Sequence, residues 1–271
     1  MRGIENISHK NIVLTGAASG IGLEILKLLA DPKYGNTILA VDLNASDLDG
    51  FAPNVIPLKA DITVKEQIDL IFEKAESMFK KIDIYYNNAG GPFYERFDYV
   101  DWDRTRYLYD LNTIAPVYMY AKYLNHLNGR DGHLCYTISC ISHVALPGYA
   151  HYVASKFGLR GFQQAIRLEK PKNMKLTCLY PVGTATRFFD VDKSRAKIKY
   201  ERCWPIQNPA KVAKKMVKGM AKGSKNIYPV FWCVFYPFFV VLPFTKRFYW
   251  WEEGRKFKRY IANAEAANRK A

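Results

Sequence analysis

Tyr152 and Lys156 stand four residues apart in the segment YVASK, a spacing that brings two side chains onto one face of a helix. A tyrosine of ordinary pKa, about 10, is a poor acid–base catalyst at neutral pH unless a nearby cation stabilises its phenolate. Lys156 is placed to be that cation. A lone Tyr-x-x-x-Lys is common and carries no function by itself, so the neighbours decide. Ser139 ends the β-rich run GHLCYTIS, 13 residues before Tyr152, where its hydroxyl can emerge at a strand end. Ser142, three residues on, competes for that role. Asn112 lies in a long helical stretch, WDRTRYLYDLNTIAPVYMYAKYLNHL, and NNAG (87–90) closes another short apolar run.

A second chemistry belongs to TGAASGIG (15–22), between a short β-rich run and a helical one. Gly16, Gly20 and Gly22 permit a tight turn, close backbone approach to a pyrophosphate and close helix–strand packing. The backbone N–H groups around Ser19, Gly20, Ile21 and Gly22, with the helix dipole, favour negative phosphates. Asp42 ends the next apolar run, 20 residues beyond Gly22. A carboxylate there accepts hydrogen bonds from both adenosine ribose hydroxyls and repels a 2′-phosphate. The loop contains no Lys or Arg to hold such a phosphate. NAD is therefore favoured as cofactor over NADP.

These residues need a frame. NIVLTG, NTILAVDL, NVIPLKADI, IDIYYNNAG, GHLCYTIS and MKLTCLYP read as six strands, and KNIYPV as a seventh. Between them lie GIGLEILKLLADP, the amphipathic VKEQIDLIFEKAESMFKK, the long stretch holding Asn112, GYAHYVASKFGLRGFQQAIRLE and NPAKVAKKMVKGMAKG, all with helical spacing. Regular β–α alternation with short connections predicts an α/β fold, a doubly wound parallel seven-stranded sheet of the Rossmann kind, as one domain.

In the order TGxxxGIG, acidic residue, Asp-Ile, NNAG, Asn, Ser and YxxxK, the chain resembles the short-chain dehydrogenases/reductases, from Lys10 to about Thr186 and more loosely to Tyr228. Within that family the chain resembles the hydroxysteroid dehydrogenases. The resemblance implies an oxidoreductase in which Tyr152 is the general acid/base and Ser139 hydrogen-bonds the same substrate oxygen. It implies that Lys156 binds the nicotinamide ribose and lowers the tyrosine pKa, and that Asn112 holds a water in a proton relay. Asp61 and Ile62 would sit at the adenine, with Asn88, Ala89 and Gly90 along the adenosine side. Thr184 and Thr186 would reach the nicotinamide carboxamide. One departure is Val182 in PVGTAT, where the family has glycine. The resemblance also implies a homo-oligomer, dimer or tetramer.

The residues expected around the reacting atoms are apolar and aromatic: Phe93, Tyr94 and Phe97 after NNAG, and Val144, Leu146 and Tyr149 after Ser139. A lid over about 187–207 adds Phe188, Phe189, Tyr200 and Trp204. This favours a bulky hydrophobic secondary alcohol or ketone, such as a hydroxysteroid, over a sugar or small acid. A reductase of an acyl or other lipid-derived ketone is the alternative. A non-catalytic dinucleotide sensor or scaffold is a further one, against which the intact Asn112, Ser139, Tyr152 and Lys156 set argues.

The chain of 271 residues carries a formal charge of +15, distributed unevenly. From Arg187 onward, 20 Lys and Arg face 6 Asp and Glu, a net +14. Nucleic acid, anionic lipid and an acidic substrate are all candidate partners, but no nucleic-acid-binding module is recognisable. Five cysteines without CxxC spacing, no clustered histidines and no signal-peptide pattern point to a reduced, cytoplasmic protein with no metal site. Residues 1–230 form the expected catalytic domain and 231–271 an apolar, basic extension. Its charge-free stretch, ending at Phe244, is short for a membrane span, and Pro237 and Pro243 interrupt it. Three readings stay open for the extension: a peripheral membrane contact, a subunit contact, or packing beside the substrate route.

Overall fold

The computed structural model describes residues 4–94, 101–186, 188, 206–235 and 243–270. Seven parallel strands form one sheet: β1 (Asn11–Thr15), β2 (Thr37–Asp42), β3 (Val55–Lys59), β4 (Ile84–Asn87), β5 (Gly132–Thr137), β6 (Met174–Leu179) and β7 (Asn226–Ile227). Their spatial order is β3-β2-β1-β4-β5-β6-β7, so the winding direction reverses between β1 and β4. At such a switch point the loops at the carboxyl ends of the strands diverge and leave a crevice.

The strands are apolar throughout because both faces of the sheet are covered. Alternate residues feed opposite cores. Val13, Leu39, Val41 and Tyr85 pack into one, while Ile12, Leu14, Ile38 and Tyr86 pack into the other. The second core takes the apolar sides of α1 (Gly20–Leu29) and α6 (Pro209–Ala221). The first takes α2 (Lys65–Met78) and α4 (Ala115–Leu127), while α5 (Ala150–Glu169) adds Leu159 and Ile166 to it.

Three local outcomes differ from the sequence expectation. The long helix holding Asn112 is divided into α3 (Trp102–Tyr109) and α4 by a π turn, Asp110–Ile114, in which Ala115 N donates to Asp110 O. Pro116 lacks an N–H and removes the hydrogen bond that would continue a regular helix there, so the backbone widens. The seventh strand is only two residues long, and Pro229 cannot donate to a ladder. The expected strand stops before it.

The third difference is at the C-terminus. After a short 3-10 turn, Phe231–Phe235, a 28-residue helix α7 runs Pro243–Lys270. Its apolar residues point to several sides, which hides the helical period from a sequence reading. The extension is not detached from the sheet, since Cys233 is buried within the first core. Among the described residues no helix is long and apolar enough to cross a membrane.

Candidate active site

The phosphate loop is shaped by what glycine omits. A Cβ on Gly16 would lie 2.8 Å from Ala89 Cα, and one on Gly22 would lie 1.9 Å from Gly16 O. The turn therefore closes only without side chains there, and the backbone is left bare toward the crevice. Ser19, at the N-cap of α1, makes no side-chain cap, so the first N–H groups of the helix stay available to an anion.

Asp42 ends β2 at the rim of this loop. One carboxylate oxygen accepts from Ala18 N at 2.9 Å and the other from Asn44 N at 3.0 Å. Asp61 accepts from Thr63 N at 2.8 Å, and Asp61 N donates to Gln67 Oε1. Ile62 is buried beside it. Asn88 stitches three strands together: its N–H donates to Thr15 Oγ1 at 3.1 Å, its Nδ2 to Gly16 O at 3.0 Å, and its Oδ1 accepts from Thr137 Oγ1 at 2.9 Å. Gly16, Ser19, Gly20, Ile21, Asp42, Asp61, Ile62, Asn88, Ala89 and Gly90 all line one cleft; Gly22 lies behind the loop and permits its turn. The bare glycine turn, uncapped helix end and rim carboxylate fit the pyrophosphate and ribose of a nicotinamide dinucleotide.

The same cleft, of about 960 Å³, continues past Ser139, Tyr152 and Lys156. Tyr152 and Lys156 are nearly withdrawn from solvent, at 6% and 3% exposure, and Lys156 Nζ lies 5.9 Å from the Tyr152 ring centroid. Nζ also donates to Thr137 O at 3.5 Å. Burial pulls the lysine pKa down from its usual 10.5 to about 8, because the charged form is desolvated.

Asn112 is fully buried in the π turn. Its Oδ1 accepts from Gly91 N at 3.1 Å, and its Nδ2 donates to Gly91 O at 2.8 Å and to Ser155 Oγ at 3.2 Å. Ser155 Oγ in turn donates to Tyr152 O at 2.8 Å, which fastens the Tyr152 helix to the Asn112 turn. Gly90 explains how the groups meet: a Cβ there would lie 2.9 Å from Asn112 Oδ1 and 3.2 Å from Lys156 Nζ. Both groups converge on the bare face of one glycine. The sequence alone does not mark Thr137 or Ser155, although Ser155 sits inside YVASK.

Ser139 and Ser142 are distinguished by what their hydroxyls do. Ser142 is fully buried and donates to Ser139 O at 2.7 Å. Ser139 lines the cleft, and its Oγ accepts from Ile141 N at 3.2 Å. Beyond them the wall is aromatic. Tyr94 packs on Tyr149 at 4.8 Å between ring centroids, and Tyr149 and Phe188 each lie 6.0 Å from Tyr152. Phe97, Phe189, Tyr200, Trp204 and most of the expected lid lie outside the described residues.

After β6, Thr184 Oγ1 donates to Val182 O at 2.9 Å, and Phe188 N donates to Thr186 Oγ1 at 3.3 Å. A Cβ on Gly20 would face Thr186 at 3.3 Å, so this loop closes on the phosphate turn. Val182, unusual at its position, packs partly buried against the first core, and its N–H donates to Gln207 Oε1 at 3.1 Å. Gln207 N donates to Gly183 O at 2.7 Å and Gln207 O accepts from Ala185 N at 2.9 Å, so Gln207 pins both sides of the loop. No short motif in the sequence marks Gln207.

Tyr249, Glu253, Lys256 and Phe257 of α7 also line the cleft. Phe257 packs with Tyr149 and Tyr152, and Lys256 Nζ is paired with Glu253 at 2.8 Å. Nothing in their local sequence points to the active site.

Residues 10–196 match the short chain dehydrogenase family model. The chain is 26% identical over 237 residues to the 3-dehydrosphinganine reductase of Danio rerio, covering 80% of this chain and 70% of that one. It is 24% identical over 259 residues to the 11-beta-hydroxysteroid dehydrogenase of Pinus massoniana, covering 88% and 72%. Among solved structures it is similar to the 3-ketoacyl-(acyl-carrier-protein) reductase of Brucella melitensis complexed with NADH, at a TM-score of 0.71 and 21% identity over 82% of this chain and 97% of that one. With the glycine turn, the buried Tyr152–Lys156 pair and a family match over most of its length, the chain belongs to the short chain dehydrogenase family of NAD(P)-dependent oxidoreductases.

Proposed function

We propose that the protein interconverts a bulky apolar secondary alcohol and its ketone with NAD(H), the substrate being a hydroxysteroid or a similar lipid-like alcohol. The observation that carries this reading is the cleft itself, in which apolar and aromatic side chains surround the polar trio Ser139, Tyr152 and Lys156. Desolvated walls of this kind favour a greasy substrate and strengthen the few polar contacts inside them.

When bound, the nicotinamide supplies the acceptor or donor of the hydride. The phosphate turn with Ser19, Gly20 and Ile21 would hold the pyrophosphate, Asp42 the adenosine ribose, and Asp61, Ile62 and Asn88–Gly90 the adenosine side. Lys156 would hold the nicotinamide ribose, and Thr184 and Thr186 its carboxamide. In the oxidative direction Tyr152 takes the proton of the substrate hydroxyl, and in reduction it returns a proton to the carbonyl oxygen. Ser139 donates a hydrogen bond to that oxygen and fixes its position. The Lys156 cation stabilises the phenolate, and Asn112 orders a water through which protons reach solvent.

Asp42 supports NAD, since its carboxylate lines the cleft, held by Ala18 N and Asn44 N, where a 2′-phosphate would meet a negative charge. A second reading, a reductase of a lipid-derived or acyl ketone, uses the same residues and is favoured by the likeness to the 3-dehydrosphinganine reductase. Residues 231–271 are proposed as an extension that makes peripheral membrane contact, and the protein as a homo-oligomer, which sedimentation equilibrium checks. The substrate proposal is tested by nicotinamide absorbance with hydroxysteroids, long-chain secondary alcohols, sphingoid ketones and small hydroxy acids, each with NAD and NADP. Turnover confined to the small hydroxy acids would overturn it.

A further inference from the structure

The two sides of α7 differ in kind. Tyr249, Glu253, Lys256 and Phe257 turn inward and wall the catalytic cleft. Phe244, Phe248 and Trp251 recur at the spacing of one helical stripe on the other side, and all three are exposed, at 85%, 63% and 61%. Around that stripe the side chains of Arg247, Arg255, Lys258 and Arg259 are also exposed. Arg255 stacks over the Trp251 ring at 5.3 Å, and the one acid beside it, Glu252, is paired with Arg255 at 2.8 Å. A second apolar surface precedes the helix, where Phe231 and Trp232 are 75% and 50% exposed. Large aromatics exposed in water are unfavourable unless something covers them, and a rim of cations selects an anionic cover.

We propose that α7 is a docking helix whose outward stripe lies in the interface of an anionic lipid bilayer while its inward side remains a wall of the catalytic cleft. Tryptophan and phenylalanine suit the boundary between head groups and acyl chains, and the arginines and lysines meet the lipid phosphates. The docking surface and the cleft wall are then separated by one helix, about 10 Å across. An apolar substrate dissolved in the bilayer reaches Tyr152 past Tyr249 and Phe257 without crossing bulk water. Docking deepens the membrane contact proposed above and stands on the outward stripe with its cations; only this consequence for access rests on the apolar-substrate reading.

The experiment is co-sedimentation of the full chain with phosphatidylcholine vesicles, with and without phosphatidylserine, with turnover measured separately on the same variants. Binding is expected to the phosphatidylserine vesicles and to fall about fivefold for each cation neutralised in Arg247→Gln, Lys258→Gln and Arg259→Gln. The double variant Phe248→Ser, Trp251→Ser is expected to lose binding, whereas Trp102→Ser, an exposed tryptophan on α3, keeps it. None of these side chains lines the cleft, so all variants are expected to keep wild-type turnover of a water-soluble alcohol. Equal binding to both vesicle types, or unaltered binding by the double variant, overturns the proposal. So does a wild-type protein that ignores vesicles while the double variant sediments as a smaller species, which would assign the stripe to a second copy of the chain. Failure of the substrate reading shows instead as vesicle binding without turnover of apolar alcohols.

Discussion

Lys156 Nζ stands 5.9 Å from the centroid of the Tyr152 ring, both residues buried and the tyrosine packed among aromatic side chains. The two residues share a helix face, so their separation is set by the backbone. Ser155, between them in sequence, ties that helix to the Asn112 turn. The pair is thereby held in place by the fold, as its proposed acid–base role requires.

Burial holds Lys156 near pKa 8, so its charge is present at neutral pH and lost within reach of ordinary buffers. The expected result is a fall in kcat/KM above about pH 8 as the cation that supports the Tyr152 phenolate disappears. Lys156→Arg, which keeps its charge, moves that descending limb to higher pH even if turnover drops. The same shift acts on stability. The folded pKa lies below the usual 10.5, so the charged form is penalised on folding, and stability from this group rises with pH between about 8 and 10.5. Melting curves of wild type and Lys156→Met across that window should show the rise only in wild type.

Gly90 gives a steric prediction. In Gly90→Ala the new methyl meets Asn112 Oδ1 at 2.9 Å and Lys156 Nζ at 3.2 Å. The lysine end can shift, but Asn112 is held by two hydrogen bonds to Gly91. A displacement approaching 1 Å at the acid–base unit costs about a hundredfold in kcat, against about 1 kcal/mol in stability. Gly161→Ala, with nothing near the added methyl, is the control and leaves kcat unchanged.

The charge on Asp42 yields a third. Asp42→Ser removes the carboxylate at the ribose rim, so the ratio of kcat/KM with NAD to that with NADP is expected to fall at least about tenfold. An unchanged ratio would remove Asp42 from the cofactor choice.

The sheet and the polar site were legible in the sequence because local rules generate them. Continuous apolar strands, glycines at the turn and the spacing of Tyr152 and Lys156 are all short-range features. Asn112 was singled out in the sequence, but not the π turn that holds it, since that turn follows from Pro116 acting on the preceding residues. Val182 read as a departure, yet its side chain packs on the core and its N–H is taken by Gln207, 25 residues away. The contribution of α7 was illegible for a similar reason. Tyr249 and Phe257 reach the cleft by tertiary packing, and the outward aromatics Phe244, Phe248 and Trp251 blur the period that would have announced a helix.

Tyr152 is proposed to carry the proton transfer in an NAD-dependent reaction on an apolar alcohol. The most direct measurement compares turnover and NADH binding for wild type and Tyr152→Phe with the best alcohol of the substrate panel. The account predicts a loss of kcat of about 10²–10⁴-fold with NADH affinity held within about twofold, because only the phenolic hydroxyl is removed. Wild-type turnover by Tyr152→Phe would contradict it.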